Sequence, residues 1–398
     1  MKKGAVGLAS AAVLKDFPSS DLLKSPGKII ERTLGKTGVK LPIVSAGVLQ
    51  EQSLIKKAYE LGVRHFDTAL RYYEFDIKLA DVIHEMKIRD ELFMTTKIPL
   101  TLGGKEYIEL ADYEKYKAEN GIDQTHKELK KNILEMCDES IKRLRMDYVD
   151  YFALHYVIDP ELLDLPPVIE AMTQIKKEGK ARFIGISTHM REIPVLNKMV
   201  DMKIWDVGLI GIHYKYQRKE DSLKAIKHAA DNGIGIIAMK TQGYIREIKG
   251  DKTLHTAGLK WVLQNDFITS SIPSCRNYKQ LEDNFNCARD LTFTEEESNY
   301  LKNYFEKNMG SLIQCEQCEK CLGTCPKNTN IPSLMRSYMY STTGRDFDYD
   351  YAKDVYSRIP ENRNLNNCAD CTKCTAKCSG GLNIQDNIEQ MKVMFRYI

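Results

Sequence analysis

Residues 129–155 read LKKNILEMCDESIKRLRMDYVDYFALH. Leu129, Ile133, Cys137, Ile141 and Leu144 recur at steps of four, four, four and three, which is one apolar face of a helix. Tyr148–Leu154 is then a short apolar run of strand length, and His155 follows it directly. A helix, a buried strand and an ionisable residue at the strand's end make one unit of an α/β fold.

The same alternation runs outward in both directions. Candidate strands are Ile43–Val48, Val63–Asp67, Leu92–Lys97, Tyr148–Leu154, Arg182–Ser187, Val207–His213, Ile234–Lys240 and Ile268–Ile272, with helical-period segments between them. Gly62 and Gly233 fall where a helix gives way to a strand, as C-cap glycines do. Thr294 and Glu297 form a capping box at the head of a last helix. Eight strands alternating with helices predict a (β/α)8 TIM barrel. A doubly wound open sheet is disfavoured, because no G-x-G-x-x-G follows the first strand.

The chain has 398 residues, with 58 Lys+Arg against 55 Asp+Glu. That length suits one barrel and a smaller second domain. Hydrophobic content of 43% and charged content of 28% exclude a disordered or fibrous chain. A net charge of +3 gives no basic field for nucleic acid, and no run approaches the ~18 apolar residues of a membrane span. The expected boundaries are 1–30 for an N-terminal arm, 31–308 for the barrel and 309–398 for the second domain. Residues 1–14, MKKGAVGLASAAVL, have the layout of a secretory signal, with an A-x-A pattern at Ala9-Ser10-Ala11. The run is weakly hydrophobic and no twin-arginine pair precedes it. The chain therefore reads as cytoplasmic, with export through a truncated twin-arginine-like signal as the alternative.

Eight of the eleven cysteines lie in the last 88 residues. Cys315-x2-Cys318-x2-Cys321-x3-Cys325-Pro326 has the spacing of the bacterial ferredoxin run for a [4Fe–4S] cluster. Cys368-x2-Cys371-x2-Cys374-x3-Cys378 repeats it without the proline. Zinc sites more often pair two C-x2-C units across a spacer, so two [4Fe–4S] clusters are expected. In two-cluster ferredoxins the fourth cysteine of each run serves the other cluster. The expected sets are Cys315, Cys318, Cys321 with Cys378, and Cys368, Cys371, Cys374 with Cys325. The intervening segment, with Tyr338 and Tyr340, is expected to pack against the barrel. Cys137, Cys275 and Cys287 read as packed thiols, and His189, His213 and His228 as structural.

In a barrel, chemistry belongs at the C-terminal ends of the strands. Asp67, Lys97, His155, Ser187, Thr188, Met239 and Lys240 sit at or just past those ends, with Tyr72 five residues after Asp67. A nearby ammonium is expected to lower a tyrosine's pKa, and a carboxylate to keep that ammonium charged. A histidine holds a carbonyl oxygen by hydrogen bond. Tyr72, Lys97, Asp67 and His155 thus suit protonation of a carbonyl oxygen while its carbon receives hydride.

These residues lie in motifs that resemble the aldo-keto reductases: RTLGKTG at 32–38, ELGVRHFDTALRY at 60–72, TTKIP at 95–99, SIKRLRMDYVDYFALH at 140–155, GKARFIGIST at 179–188 and GIGIIAMK at 233–240. The resemblance runs from Arg32 to about Asp290. With the two cysteine runs it is to the ferredoxin-type branch of that family. It implies an NAD(P)H-dependent reductase of a small carbonyl substrate, which in reverse oxidises the alcohol. Tyr72 would be the general acid, Lys97 and Asp67 its tuning pair, and His155 the substrate-orienting group. Ser187 and Thr188 would hold the nicotinamide amide, with Met239 and Lys240 alongside. Asp283 and Asn284 would hold adenine. Arg276 would meet the 2′-phosphate of NADP(H), because Ser274 and Gln280 replace the usual basic residues. NAD(H) is the alternative cofactor. Tyr73 stands where the family usually has Gly, and Met239 where many members have an aromatic. Residues 100–124 form a polar insertion longer than usual, expected on the active rim to cover substrate or meet a partner.

The runner-up is an electron-transfer or nicotinamide-sensing protein with a non-catalytic barrel and an external redox partner. Hydride moves two electrons together and each cluster one at a time, and no flavin motif is present to bridge them.

Overall fold

The computed structural model describes residues 27–72, 74–216, 218–242, 254–307, 315, 317–343 and 349–395. The signal-like stretch and Tyr73 lie outside them. A hairpin of β1 (Glu31–Thr33) and β2 (Lys40–Pro42) enters the barrel. There follow α1 (Gln52–Leu61), β3 (His65–Asp67), α2 (Phe75–Met86) and β4 (Phe93–Ile98). The insertion comes next: β5 (Thr101–Leu102), β6 (Lys105–Glu106) and α3 (Leu110–Asn120). The barrel resumes with α4 (Ile122–Leu144), β7 (Val149–Leu154), α5 (Pro166–Lys177), β8 (Ala181–Thr188), α6 (Glu192–Met202) and β9 (Val207–Gly211). It ends with α7 (Lys219–Asp231), β10 (Gly235–Met239), α8 (His255–Leu263), β11 (Ser270–Ser271), α9 (Tyr278–Asn286) and α10 (Glu295–Lys307).

Seven parallel strands curl in the order β11-β10-β9-β8-β7-β4-β3. Every residue of β4 and β7 is buried, as parallel strands covered on both faces require. The helix face read from residues 129–144 is buried against them, with Leu129, Ile133 and Cys137 fully enclosed. Gly62 ends α1 with φ 109°, a conformation only glycine adopts freely. Thr294 and Glu297 exchange both capping bonds, at 2.9 and 3.1 Å.

The expected first strand, Ile43–Val48, is not a regular strand. It bridges the two sheet edges one residue at a time, Val44 to Ser271 and Ala46 to Phe66. Ser45 N–H donates to Ser271 O at 2.8 Å and Ala46 N–H to His65 O at 3.0 Å. The ladder is short because β3 has three residues and β11 only two. Side chains reinforce this seam. Arg32 donates to the carbonyls of Leu263, Asn265 and Ile268 at 2.6–2.9 Å, and Ser45 bonds Ser270 at 2.7 Å.

The second domain has α11 (Ile331–Thr343), α12 (Tyr349–Ser357) and α13 (Ile384–Met394) around its own core of Leu334, Met335, Ala352, Tyr356, Ile388 and Met391. It docks on the C-terminal rim of the barrel. Ile158, Met190 and Met339 are buried together there, and Tyr340 Oη donates to Met190 Sδ at 3.3 Å. Among the described residues no helix is long and apolar enough to cross a membrane.

His65, His189 and His213 are buried, and burial pushes each imidazole down to about 3. Below pH ~6.5 the unfolded chain therefore binds protons that the folded chain refuses, so stability falls as pH drops from there. Each group adds up to about 1.4 kcal/mol per pH unit to that slope. Urea denaturation at a series of pH values should show the decline, and His65→Gln should make it shallower.

Candidate active site

Lys97 and Asp67 lie at neighbouring strand ends, their side chains 1% and 3% exposed. Lys97 Nζ donates to both Asp67 oxygens at 2.6 Å and to Thr68 O at 2.7 Å. All three ammonium protons are thereby used. Burial pushes Asp67 up and Lys97 down, and their mutual attraction opposes both shifts.

Tyr72 sits in the turn between β3 and α2. Its N–H donates to Ala69 O at 3.0 Å, and its carbonyl accepts from Phe75 N–H at 3.0 Å. Lys97 Nζ is 4.9 Å from the Tyr72 ring centroid. The phenol is nevertheless pushed well above its ordinary value, first by burial and then by the Asp67 charge and Tyr107. This corrects the expectation that the ammonium lowers it. Asp67 neutralises Lys97 at close range, and the lysine's protons point at Asp67 and Thr68.

His155 follows β7, its ring edge-on to Tyr72 at 5.6 Å. Tyr107 Oη lies 3.4 Å from its Nδ1. Burial, aided by the Lys97 charge, holds the imidazole well below its usual range, so it is neutral. Four rim residues, Tyr107, Tyr156, Arg191 and Lys240, are left-handed with φ between 55° and 62°. Such strain gathers where the surroundings over-determine a site.

The residues expected to hold nucleotide fare differently. Ser187 Oγ is buried at the end of β8 without a hydrogen-bond partner, which suits an incoming polar ligand atom. Thr188 Oγ1 instead donates to Met190 O at 2.7 Å and is committed to its own turn. Met239 is buried at the end of β10, and Lys240 is exposed beyond it. Arg276 is exposed, with its backbone N–H donating to Gln280 at 2.9 Å. Asp283 pairs with Lys279 at 2.7 Å. Asn284 is buried, accepting from Gln242 at 2.6 Å and donating to Cys275 Sγ at 3.3 Å.

The eight clustered thiols divide into two groups. Burial pushes Cys315 up to about 12, and Cys321, Cys318 and Cys378 add like charge. Cys368 is raised by burial and by Cys371, Cys325 and Cys374. The fourth cysteine of each run thus lies with the other run. Gln317 Nε2 donates to Cys315 Sγ at 3.1 Å, and Gly380 N–H to Cys378 Sγ at 3.3 Å. Among the described residues no three metal-ligating side chains converge tightly enough for a single ion. What fits these thiols to iron–sulfur clusters is the C-x2-C-x2-C-x3-C spacing of each run and the grouping of four thiols at each site. A cavity of about 220 Å³ separates Cys315 and Cys318 from His189, Arg191, Tyr216 and Arg218 on the rim. Tyr72, Lys97 and His155 are not among the residues that line it.

Sequence reasoning missed Tyr107, and with it Glu109, Arg336 and Arg358, which join the insertion to the second domain. The unusual length of 100–124 was the one available signal.

Residues 49–246 match the aldo/keto reductase family, and residues 314–383 a 4Fe-4S dicluster domain. The L-glyceraldehyde 3-phosphate reductase of Escherichia coli K12 is 25% identical over 335 residues, covering 68% of this chain and 91% of that one. A methylglyoxal reductase of Salmonella typhi is 27% identical over 259 residues, covering 62% and 84%. The fold is similar to that of an aldo-keto reductase from Bacillus halodurans in its holo form, with TM-score 0.52 and 18% identity over 69% of this chain and 96% of that one.

Removing one partner of a buried ion pair leaves an uncompensated charge and typically costs about 3–5 kcal/mol. Lys97→Met should destabilise the protein by about that much in chemical denaturation. Adding Asp67→Asn should recover a large part of the loss.

Proposed function

Starting from a barrel that belongs to the aldo/keto reductase family and is joined to a 4Fe-4S dicluster domain, we propose that this chain reduces a small aldehyde or ketone to its alcohol. The observation that carries this reading is the meeting of Tyr72, His155 and the buried Lys97–Asp67 pair at adjacent strand ends. The coenzyme is NADP(H), with NAD(H) the weaker alternative, and when bound it supplies the hydride for the carbonyl carbon. Tyr72 gives its proton to the carbonyl oxygen, and burial keeps that proton in place at neutral pH until substrate arrives. His155 is neutral and donates a hydrogen bond to the same oxygen. The phenolate left behind faces Lys97, whose charge Asp67 fixes in place. Water then returns the proton to Tyr72. The Ser187 hydroxyl takes the nicotinamide carboxamide, Met239 packs at its ring, Asp283 and Asn284 hold adenine, and the exposed Arg276 meets the 2′-phosphate. Relatives named for L-glyceraldehyde 3-phosphate and methylglyoxal make small polar carbonyls the first substrates to try. In the second domain Cys315, Cys318, Cys321 and Cys378 hold one cluster, and Cys368, Cys371, Cys374 and Cys325 the other.

Anaerobic, cluster-loaded protein should oxidise NADPH only when a carbonyl is added. Tyr72→Phe should lower kcat about 10²–10⁴-fold and leave nucleotide binding intact. Tight nucleotide binding with no turnover by the unmodified protein defeats the reductase reading and favours electron transfer or sensing. Arg276→Ala should raise KM for NADPH about tenfold and leave NADH unaffected, as loss of a charge-assisted contact does. Cys378→Ser should remove the electron paramagnetic resonance signal of one cluster and spare the other.

A further inference from the structure

The insertion between β4 and α4 sets one aromatic side chain against the site histidine. The Tyr107 ring meets the His155 imidazole edge-on at 5.5 Å, with Oη 3.4 Å from Nδ1. Its backbone is left-handed, with φ 55°. That conformation is strained for a bulky residue and persists only where neighbours hold it.

What holds it begins two residues further on. Glu109 accepts from Arg336 Nη2 at 2.6 Å and from Arg358 Nη1 at 2.8 Å. The three side chains are 14%, 10% and 6% exposed, so this is a largely buried pair of ion pairs. Arg358 also faces Asp112 at 3.5 Å, and Asp112 bonds back to Glu109 N–H at 2.9 Å. A second chain of contacts runs beside the first. Leu110 N–H donates to Asp159 at 2.8 Å, Asp159 pairs with Arg191 at 2.6 Å, and Arg191 reaches Glu319 at 3.6 Å. Glu319 stands between Cys318 and Cys321. Both chains end in the cysteine-bearing domain, and both begin within three residues of Tyr107.

We propose that Tyr107 is a positioning residue for His155, and that the dicluster domain sets it in place through the Arg336–Glu109–Arg358 clamp. The chemistry of this inference rests on the carbonyl-reductase reading; its test does not. A phenol donating to Nδ1 makes that nitrogen the acceptor and leaves the proton on Nε2. Nε2–H is then the donor available to a carbonyl oxygen. The second domain on this account supports the geometry of the first, whatever its electrons do.

Nitrogen NMR of the histidine-labelled, cluster-loaded protein reads the tautomer directly, with the His155 signal assigned by its loss in His155→Gln. Tyr107→Phe keeps the ring but removes the donor. It should move His155 from the Nε2–H form toward a mixture of tautomers, and lower kcat about tenfold with little change in KM. Hydrogen exchange over residues 100–112 reads the clamp. Glu109→Gln and Arg358→Ala should each speed exchange there and reproduce the tautomer change, and Arg358→Lys should restore part of the protection. An unchanged tautomer in Tyr107→Phe overturns the positioning role. Exchange unchanged from the unmodified protein in both clamp variants overturns the support by the second domain. Neither readout needs turnover, so absence of carbonyl reduction defeats the proposed function and leaves these two measurements to decide the inference.

Discussion

A fully buried ammonium must use every one of its protons inside the protein, and at Lys97 it does. The cost of taking both Lys97 and Asp67 out of water is several kcal/mol for each ion, and it is offset only by this geometry. Two adjacent strands must therefore end at matching heights. The loop between them must also bring the Thr68 carbonyl onto the ammonium. The same loop hydrogen-bonds back to β4, where Leu70 N–H donates to Lys97 O at 2.9 Å, and it then turns to present Tyr72. The placement of the phenol is a consequence of satisfying the lysine.

How far the sequence disclosed this depends on the range of each interaction. Asp67, Lys97, His155 and Ser187 were legible because a parallel barrel repeats one rule, that side chains at the C-terminal strand ends face one rim. The first strand was misread because an apolar run signals burial and not ladder length. Ile43–Gly47 is buried and Val48 half-buried, and the pairing of this run is limited by its short neighbours. The pKa of Tyr72 was misjudged for a related reason. Sequence places a lysine near a tyrosine but does not show how deeply the phenol is buried, nor that the charge of Asp67 acts on it as well. The clamp residues were illegible, since Arg336 and Arg358 meet Glu109 across 227 and 249 residues of chain. Only docking of the second domain creates that contact.

The rim reads as a compromise between strain and cover. Tyr107, Tyr156 and Arg191 are held left-handed on the barrel side, and Gln317 and Glu319 are left-handed in the first cysteine loop facing them. Met190 is buried between the domains and accepts from both Tyr156 and Tyr340. A polarisable sulfur suits this place, because it fills an irregular gap and accepts weakly from two directions.

The barrel seam carries a dynamic consequence. Between β4 and β9 each strand is tied to its neighbours by a continuous ladder, whereas the segment from Ile43 to Val48 is tied by isolated bridges and by the Ser45–Ser270 hydrogen bond. Cooperative units with few exposed ladder bonds open last, and those held by scattered contacts open first. The barrel should therefore breathe along one line, parting like a stave from its hoop while the opposite wall stays shut. Leu49 bridges Cys275 on that line, at the edge of the segment from Ile272 to Asn284. Whatever binds along that segment selects the closed form, and so stabilises the part of the wall that is otherwise the first to yield.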